Sequence, residues 1–194
     1  MKYDIRLLTK AADALLGRVT NPRHRQILIN YRRHAILEVC GLYEQILAED
    51  LTIEEPQYVM YVGGGVMPFK GKKRVEALYS SMVKLNSCVM MFENEQLRVD
   101  DAGFSSRATF QIFMPGAVAL YFGAPVESDE LDDIFIDTSD RVMIWDYADD
   151  GRLLGENIWV GGSSFRKCPP DEVITREECL DLLMPLIDRV PEPR

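Results

Sequence analysis

Histidine is scarce in this chain, cysteines are unpaired in spacing, and no apolar run is long. With only His24 and His34 in 194 residues, and with Cys40, Cys88, Cys168 and Cys179 never set as Cys-x-x-Cys, the ligand inventory for a zinc site is thin. The cysteines read as reduced and structural, and no metal is expected. Neither GxGxxG nor GxxxxGK[ST] occurs, because Gly63-Gly64-Gly65 lies in a loop without a phosphate-binding lysine at the right offset, so no nucleotide cofactor is expected. No stretch approaches the roughly 18 uninterrupted apolar residues of a membrane helix. Met1-Lys2-Tyr3-Asp4 also lacks a signal-peptide core, so the expected compartment is the cytoplasm. Positive charge is short too. A formal net charge of −9 argues against a surface that tracks nucleic-acid phosphates. The basic cluster Arg23, Arg25, Arg32 and Arg33 alternates with apolar positions on a predicted helix and reads as a solvated face or an interface rim.

Apolar residues are plentiful. At 47% hydrophobic content the chain can build one domain with extensions. Leu7, Leu8, Ala11, Ala14 and Leu15 have helical spacing over Ile5 to Leu16, and Gly17 is a natural stop. Asn21-Pro22 starts the next helix, with Asn21 as N-cap and Pro22 at the first helical position, running to Val39. Gly41 breaks it and Leu42 to Ala48 forms a shorter helix. A third amphipathic segment opens at Gly71, with Val75, Leu78, Tyr79 and Met82 on one face. The period then becomes alternating: Cys88 to Val99 and Phe104 to Phe113 form a hairpin, and Met114-Pro115-Gly116 turns the chain into Ala117 to Phe122. The acidic stretch Glu127 to Asp133 reads as a loop. Arg141 to Tyr147 and Leu153 to Val160 pair across Ala148-Asp149-Asp150-Gly151, Gly161 to Pro170 reads as loop, and Thr175-Arg176-Glu177-Glu178 is a capping box for a final helix through about Asp188. The expected fold is α+β: N-terminal helices packed on a strongly curved antiparallel sheet that forms a cone-shaped pocket, with an extra C-terminal helix. One domain spans the chain, its core at about residues 23–160.

Several side chains in this frame carry chemistry. Tyr31 lies on the long helix, with His34 one turn later and Glu38 a further turn on to orient the imidazole. Glu55 precedes Pro56, which holds it extended with its carboxylate aimed in one direction, and Tyr79 lies on the third helix. A carboxylate in an apolar cone would have a raised pKa and could shuttle protons. Tyr31 supported by Tyr79 would be a neutral donor to a developing oxyanion. Tyr58 and Tyr61 stand on opposite faces of an extended segment, so at most one looks inward. Glu156, between Leu154 and Ile158, is an unusual acid on a core-facing strand. Met82, Phe110, Met143, Trp145 and Trp159 are candidate apolar lining.

Tyr31, the acidic pair Glu49-Asp50, Glu54-Glu55-Pro56, Gly71 and Tyr79, followed by the hairpin around Trp145-Asp146-Tyr147, resemble the ketosteroid isomerases of the nuclear transport factor 2-like superfamily over roughly residues 27–160. The register requires an insertion at Gln57 to Lys70. The resemblance implies the cone fold, Glu55 as catalytic carboxylate and Tyr31 as oxyanion donor. It departs at Met143, which stands where those isomerases carry a second, protonated aspartate.

Together these observations imply a cofactor-independent acid–base enzyme, a lyase, dehydratase or isomerase, acting on a small hydrophobic ring-containing substrate. The missing acid and the tyrosine-rich entrance lean towards an aromatic substrate, such as the lignin-derived diaryl compounds cleaved by formaldehyde-releasing lyases of this fold. Steroid-type ketone isomerase and polyketide cyclase are the alternatives within the class. A non-catalytic ligand-binding or dimerisation module is the alternative outside it. The curved sheet's outer face makes a homodimer the default assembly.

Overall fold

A computed structural model describes residues 1–193. Six helices are α1 (Lys10–Leu16), α2 (Pro22–Val39), α3 (Tyr43–Ile46), α4 (Lys72–Lys84), α5 (Gly116–Tyr121) and α6 (Arg176–Leu183). Six strands, β1 (Thr52–Val62), β2 (Gly65–Lys70), β3 (Met90–Val99), β4 (Gly103–Pro115), β5 (Ile134–Tyr147) and β6 (Leu153–Lys167), form one sheet in the order β2-β1-β6-β5-β4-β3. The sheet curls around α2 and α4 as an open cone, the α+β architecture expected. One pair departs from the antiparallel expectation: β1 runs parallel to β6, because β1 enters from the helical layer instead of from a hairpin with β6.

The helix starts follow from local chemistry. Asn21 accepts hydrogen bonds from the amides of Arg23 and His24 ahead of Pro22, which satisfies donors that a helix start otherwise leaves open. Thr175 caps α6 through the amide of Glu178. Gly41, at φ +72°, ends α2. Basic residues of α2 are not a solvated face, contrary to the sequence reading. Arg32 is buried, bonded to Asp13 at 2.6 Å and to the carbonyls of Leu186 and Ile187. Arg25 donates to the carbonyls of Leu16 and Pro191, and Arg23 to those of Asp101 and Tyr147. Each guanidinium satisfies otherwise open carbonyls, tying α2 to the segments around it.

Three further segments depart from the expectations. Gln57 to Lys70 is a β-hairpin, not a loop insertion: Val62 pairs with Gly65 across Gly63-Gly64, both at positive φ, the geometry of a two-residue turn that matches strand twist. Ala117 to Phe122 is largely helical, in α5. The tail from Gly161 continues β6 to Lys167, with Gly161-Gly162 absorbed in an irregularity between the pairs Ser139↔Ser163 and Arg141↔Val160. The four cysteines are buried and unpaired, and burial pushes the thiols up, Cys40 to about 12 and Cys88 to about 11, so they are poor nucleophiles.

Candidate active site

On α2, Tyr31, His34, Ala35 and Glu38 share one face at helical spacing, and that face closes the cone. Tyr31, Glu38, Tyr58, Tyr79, Arg141 and Glu156 are the polar side chains lining the cavity of the cone, with Met82, Phe110, Met143 and Trp145 among its apolar walls. Its volume is about 90 Å³, room for about three waters. A wider crevice of about 470 Å³ between α4 and α6 holds no comparable convergence of acids and tyrosines.

His34 is the hub. It is buried, and its Nε2 lies 2.8 Å from the Tyr79 hydroxyl, 3.4 Å from Glu156 Oε1 and 3.6 Å from Glu38 Oε2. The Tyr79 hydroxyl also reaches Glu156 Oε1 at 3.3 Å. Two proton arrangements fit these heavy atoms. With Glu156 ionised, Nε2–H donates to Tyr79, which donates to the carboxylate. With Glu156 protonated, the acid donates to Tyr79, which donates to an unprotonated Nε2. The difference is one proton moved along Glu156, Tyr79 and His34. Burial pushes the Glu156 carboxyl well above the usual carboxylate range, and the nearby Glu38 adds to this, while the Tyr58 and Tyr79 hydroxyls pull the other way. Burial likewise raises the phenols of Tyr58 and Tyr79, keeping them neutral donors. The Tyr58 hydroxyl is buried and lies near Glu156 and Tyr79 without a hydrogen bond of good geometry to either, so it can turn to an oxygen held in the cavity. Trp145 Nε1 is buried without a hydrogen-bond partner among the described residues.

A second buried acid–phenol pair lies at the far side of Tyr31. Its hydroxyl donates to Glu95 Oε1 at 2.6 Å, and Ser106 donates to the same oxygen at 2.8 Å. Burial raises the Glu95 carboxyl, against the pull of these two hydroxyls. Glu95 did not stand out in the sequence, because its inward direction comes from a break in register. Glu93 pairs with Thr109 but Gln96 with Arg107, so one extra residue of β3 is accommodated near Asn94 at φ +56°, which moves the odd-numbered side chains to the concave face. The one sequence signal was Asn94 itself, a residue tolerant of that conformation.

The structure corrects three assignments. Glu55 does not enter the cone: it is exposed and its carboxylate lies against Gly71, at the start of α4, where the helix dipole favours negative charge. Between the pairs Thr52↔Leu153 and Gln57↔Gly155, β1 carries three more residues than β6. Pro56, with no amide to give to the ladder, sits in that excursion, which turns Glu55 outward. Tyr31 and Tyr79 both line the cavity but do not bond one another, since Glu95 and His34 take their hydroxyls. Trp159 and Tyr61 stack on each other at 4.6 Å on the outer face. Glu156 and Ile158 face inward, so strand alternation sends Trp159 out, and Tyr58 is the tyrosine of β1 that enters the pocket.

No protein-family model matches the sequence, and no curated protein matches it. Solved structures do. A provisionally assigned SnoaL-like polyketide cyclase from Jannaschia sp. CCS1 superposes with TM-score 0.54 at 11% identity, over 74% of this chain and 91% of that one. An epoxide hydrolase/cyclase-like enzyme of pyran ring formation in the polyether salinomycin gives TM-score 0.44 at 15% identity, over 73% and 93%. A phenazine biosynthesis-related protein from Pseudomonas aeruginosa gives 0.44 at 12%, over 70% and 83%. The chain therefore shares the cone fold of the SnoaL-like cyclase from Jannaschia. At such identities the likeness is one of fold, and the chemistry rests on this chain's own residues.

Proposed function

We propose that the protein is a cofactor-independent acid–base enzyme of the isomerase, cyclase or lyase kind, working on a small ring-containing substrate in the cone. The observation that carries this is the convergence of Glu38, Glu156 and Tyr79 on a single buried imidazole nitrogen. Burying such groups together costs stability, and perturbed titratable groups of this kind concentrate at working sites. Glu38, at the cavity wall, is the general base that takes a proton from carbon next to a carbonyl. Tyr58, beside Glu156 across the β1–β6 pair, donates to the oxygen as it gains charge, and so does neutral Glu156 when its one proton is on Oε2 and Oε1 accepts from Tyr79. The neutral acid that the isomerase resemblance lacks at Met143 is thus supplied from the neighbouring strand. His34 is a positioning residue, acting through Tyr79 and both carboxylates. Glu38→Gln and Glu156→Gln should each lower turnover by about 10² to 10⁴, read as product formation or solvent-deuterium uptake on a panel of cyclic ketones, aryl-propane diols and polyketide phenols. Full activity in both variants would end this reading.

The cavity volume favours a second reading. About 90 Å³ is below the roughly 300 Å³ at which ligand sites begin, as in a cone filled by its own side chains that serves as a pairing module. Val142, Ile144 and Trp159, each about 40% exposed on the outer face, would then be covered by a second copy of the chain. Absence of any solvent exchange on the panel, together with a dimer by light scattering that Trp159→Glu dissolves, would favour it.

A further inference from the structure

Arg141 is an anomaly in an otherwise apolar wall. It shares the inward parity of Met143 and Trp145 on β5 and lines the cavity with them, its side chain 12% exposed. Its guanidinium carbon lies over the Phe110 ring, 4.7 Å from the centroid, an arrangement that is favourable for the cation. Nε donates to Ser139 Oγ at 3.2 Å. The terminal nitrogens face Asp137, whose Oδ2 lies 3.7 Å from Nη2, too far for a hydrogen bond. Among the described residues neither terminal nitrogen makes one. A guanidinium has five N–H donors, and here four are left over at a cavity wall. Desolvation disfavours the charged form, so this cation is held at a cost that its protein partners do not offset.

We propose that Arg141 is the anchor for a carboxylate on the substrate, so that the cone takes a small monocarboxylic acid with an apolar body. This rests on the cavity being the reaction site. The leftover donors sit at the fork edge, the geometry that accepts a carboxylate through two parallel hydrogen bonds. A single negative charge fits better than a phosphate dianion, because Glu38 faces the same space and the chain carries a net −9, both of which repel further charge. With the carboxylate at Arg141, the apolar body extends along Phe110, Met143 and Trp145 towards Glu156 and Tyr58. The competing view is that Arg141 only neutralises Asp137, which is buried with Oδ1 unpartnered.

Paired probes separate the two. Benzoate and benzamide share size and shape and differ in charge, and calorimetry or quenching of tryptophan fluorescence reads their binding. In the wild type benzoate should bind at least about tenfold more tightly, the order of one charge-assisted pair. Arg141→Gln should bring the two within about twofold, with benzamide affinity unchanged. Arg141→Lys, which keeps the charge but not the fork, should retain only part of the preference. Glu156→Gln should retain all of it, so inactivity of the acid–base cluster and failure of the anchor are told apart. Equal binding of the two probes, binding of neither at millimolar concentration, or a preference that survives Arg141→Gln overturns the proposal. Should Arg141→Gln fail to fold, the Nε resonance of Arg141 in ¹⁵N-labelled wild type must shift with benzoate and not with benzamide. A resonance that ignores both is the refuting result.

Discussion

Glu156→Gln tests the electrostatics of the site without any substrate. Burial raises the folded-state pKa of Glu156 well above that of an exposed glutamate, which is about 4.3 in an unfolded chain. Below that value both states hold the proton and the residue adds no pH dependence. Between it and the raised pKa the folded protein keeps a proton that the unfolded chain has released. The native state then binds more protons, so stability falls as pH rises. Each pH unit in this window costs about 1.4 kcal/mol, or about 3–6 °C in Tm for a chain of this size. Above the raised pKa both states are ionised and the loss stops. Glutamine keeps the shape and can accept from Tyr79 but does not titrate. The difference in Tm between Glu156→Gln and wild type, measured by scanning calorimetry from pH 4 to pH 8, should therefore open steadily in favour of the variant as pH rises. The exposed carboxylates held low by surface partners, such as Asp150 beside Arg152, contribute equally to both proteins and cancel. Parallel curves across that range would mean that Glu156 titrates like a surface glutamate, and the neutral-acid role would fall with it.

Glu55→Gln should leave turnover within about twofold of wild type, as for other surface changes away from special features, and a loss on the scale expected for Glu156→Gln would restore Glu55 as the base. Gly155→Ala would place a Cβ 1.9 Å from the Gln57 carbonyl oxygen and force β1 off β6, at a cost of about 3 kcal/mol; Tm should drop by roughly 6–12 °C, and an unchanged Tm would show that the two strands are less closely apposed.

Helices were legible because their signals are local. Asn21-Pro22, Thr175 with Glu178, and the spacing of Val75, Leu78 and Tyr79 each specify a start or a face within one or two turns, and the α2 face brings Tyr31, His34 and Glu38 together without reference to anything distant. The acids of the sheet were different. Alternation assigns a face only up to the next irregularity in register, and an irregularity is a relation between two strands, invisible in either alone. Two such breaks decide which carboxylates meet the cavity and its tyrosines: the excursion around Pro56 turns Glu55 out, and the extra residue at Asn94 brings Glu95 in to Tyr31. Glu156 was legible because β6 keeps strict alternation from Gly155 to Val160, and the same parity excludes Trp159. Proline inside a strand and asparagine at positive φ mark two points where a sequence reader should restart the alternation. The cone's chemistry is thus written partly in its departures from ideal sheet: the carboxylate with the most familiar sequence context faces solvent, and those that handle buried hydroxyls are placed by pairing partners as distant along the chain as Tyr58 and Glu156.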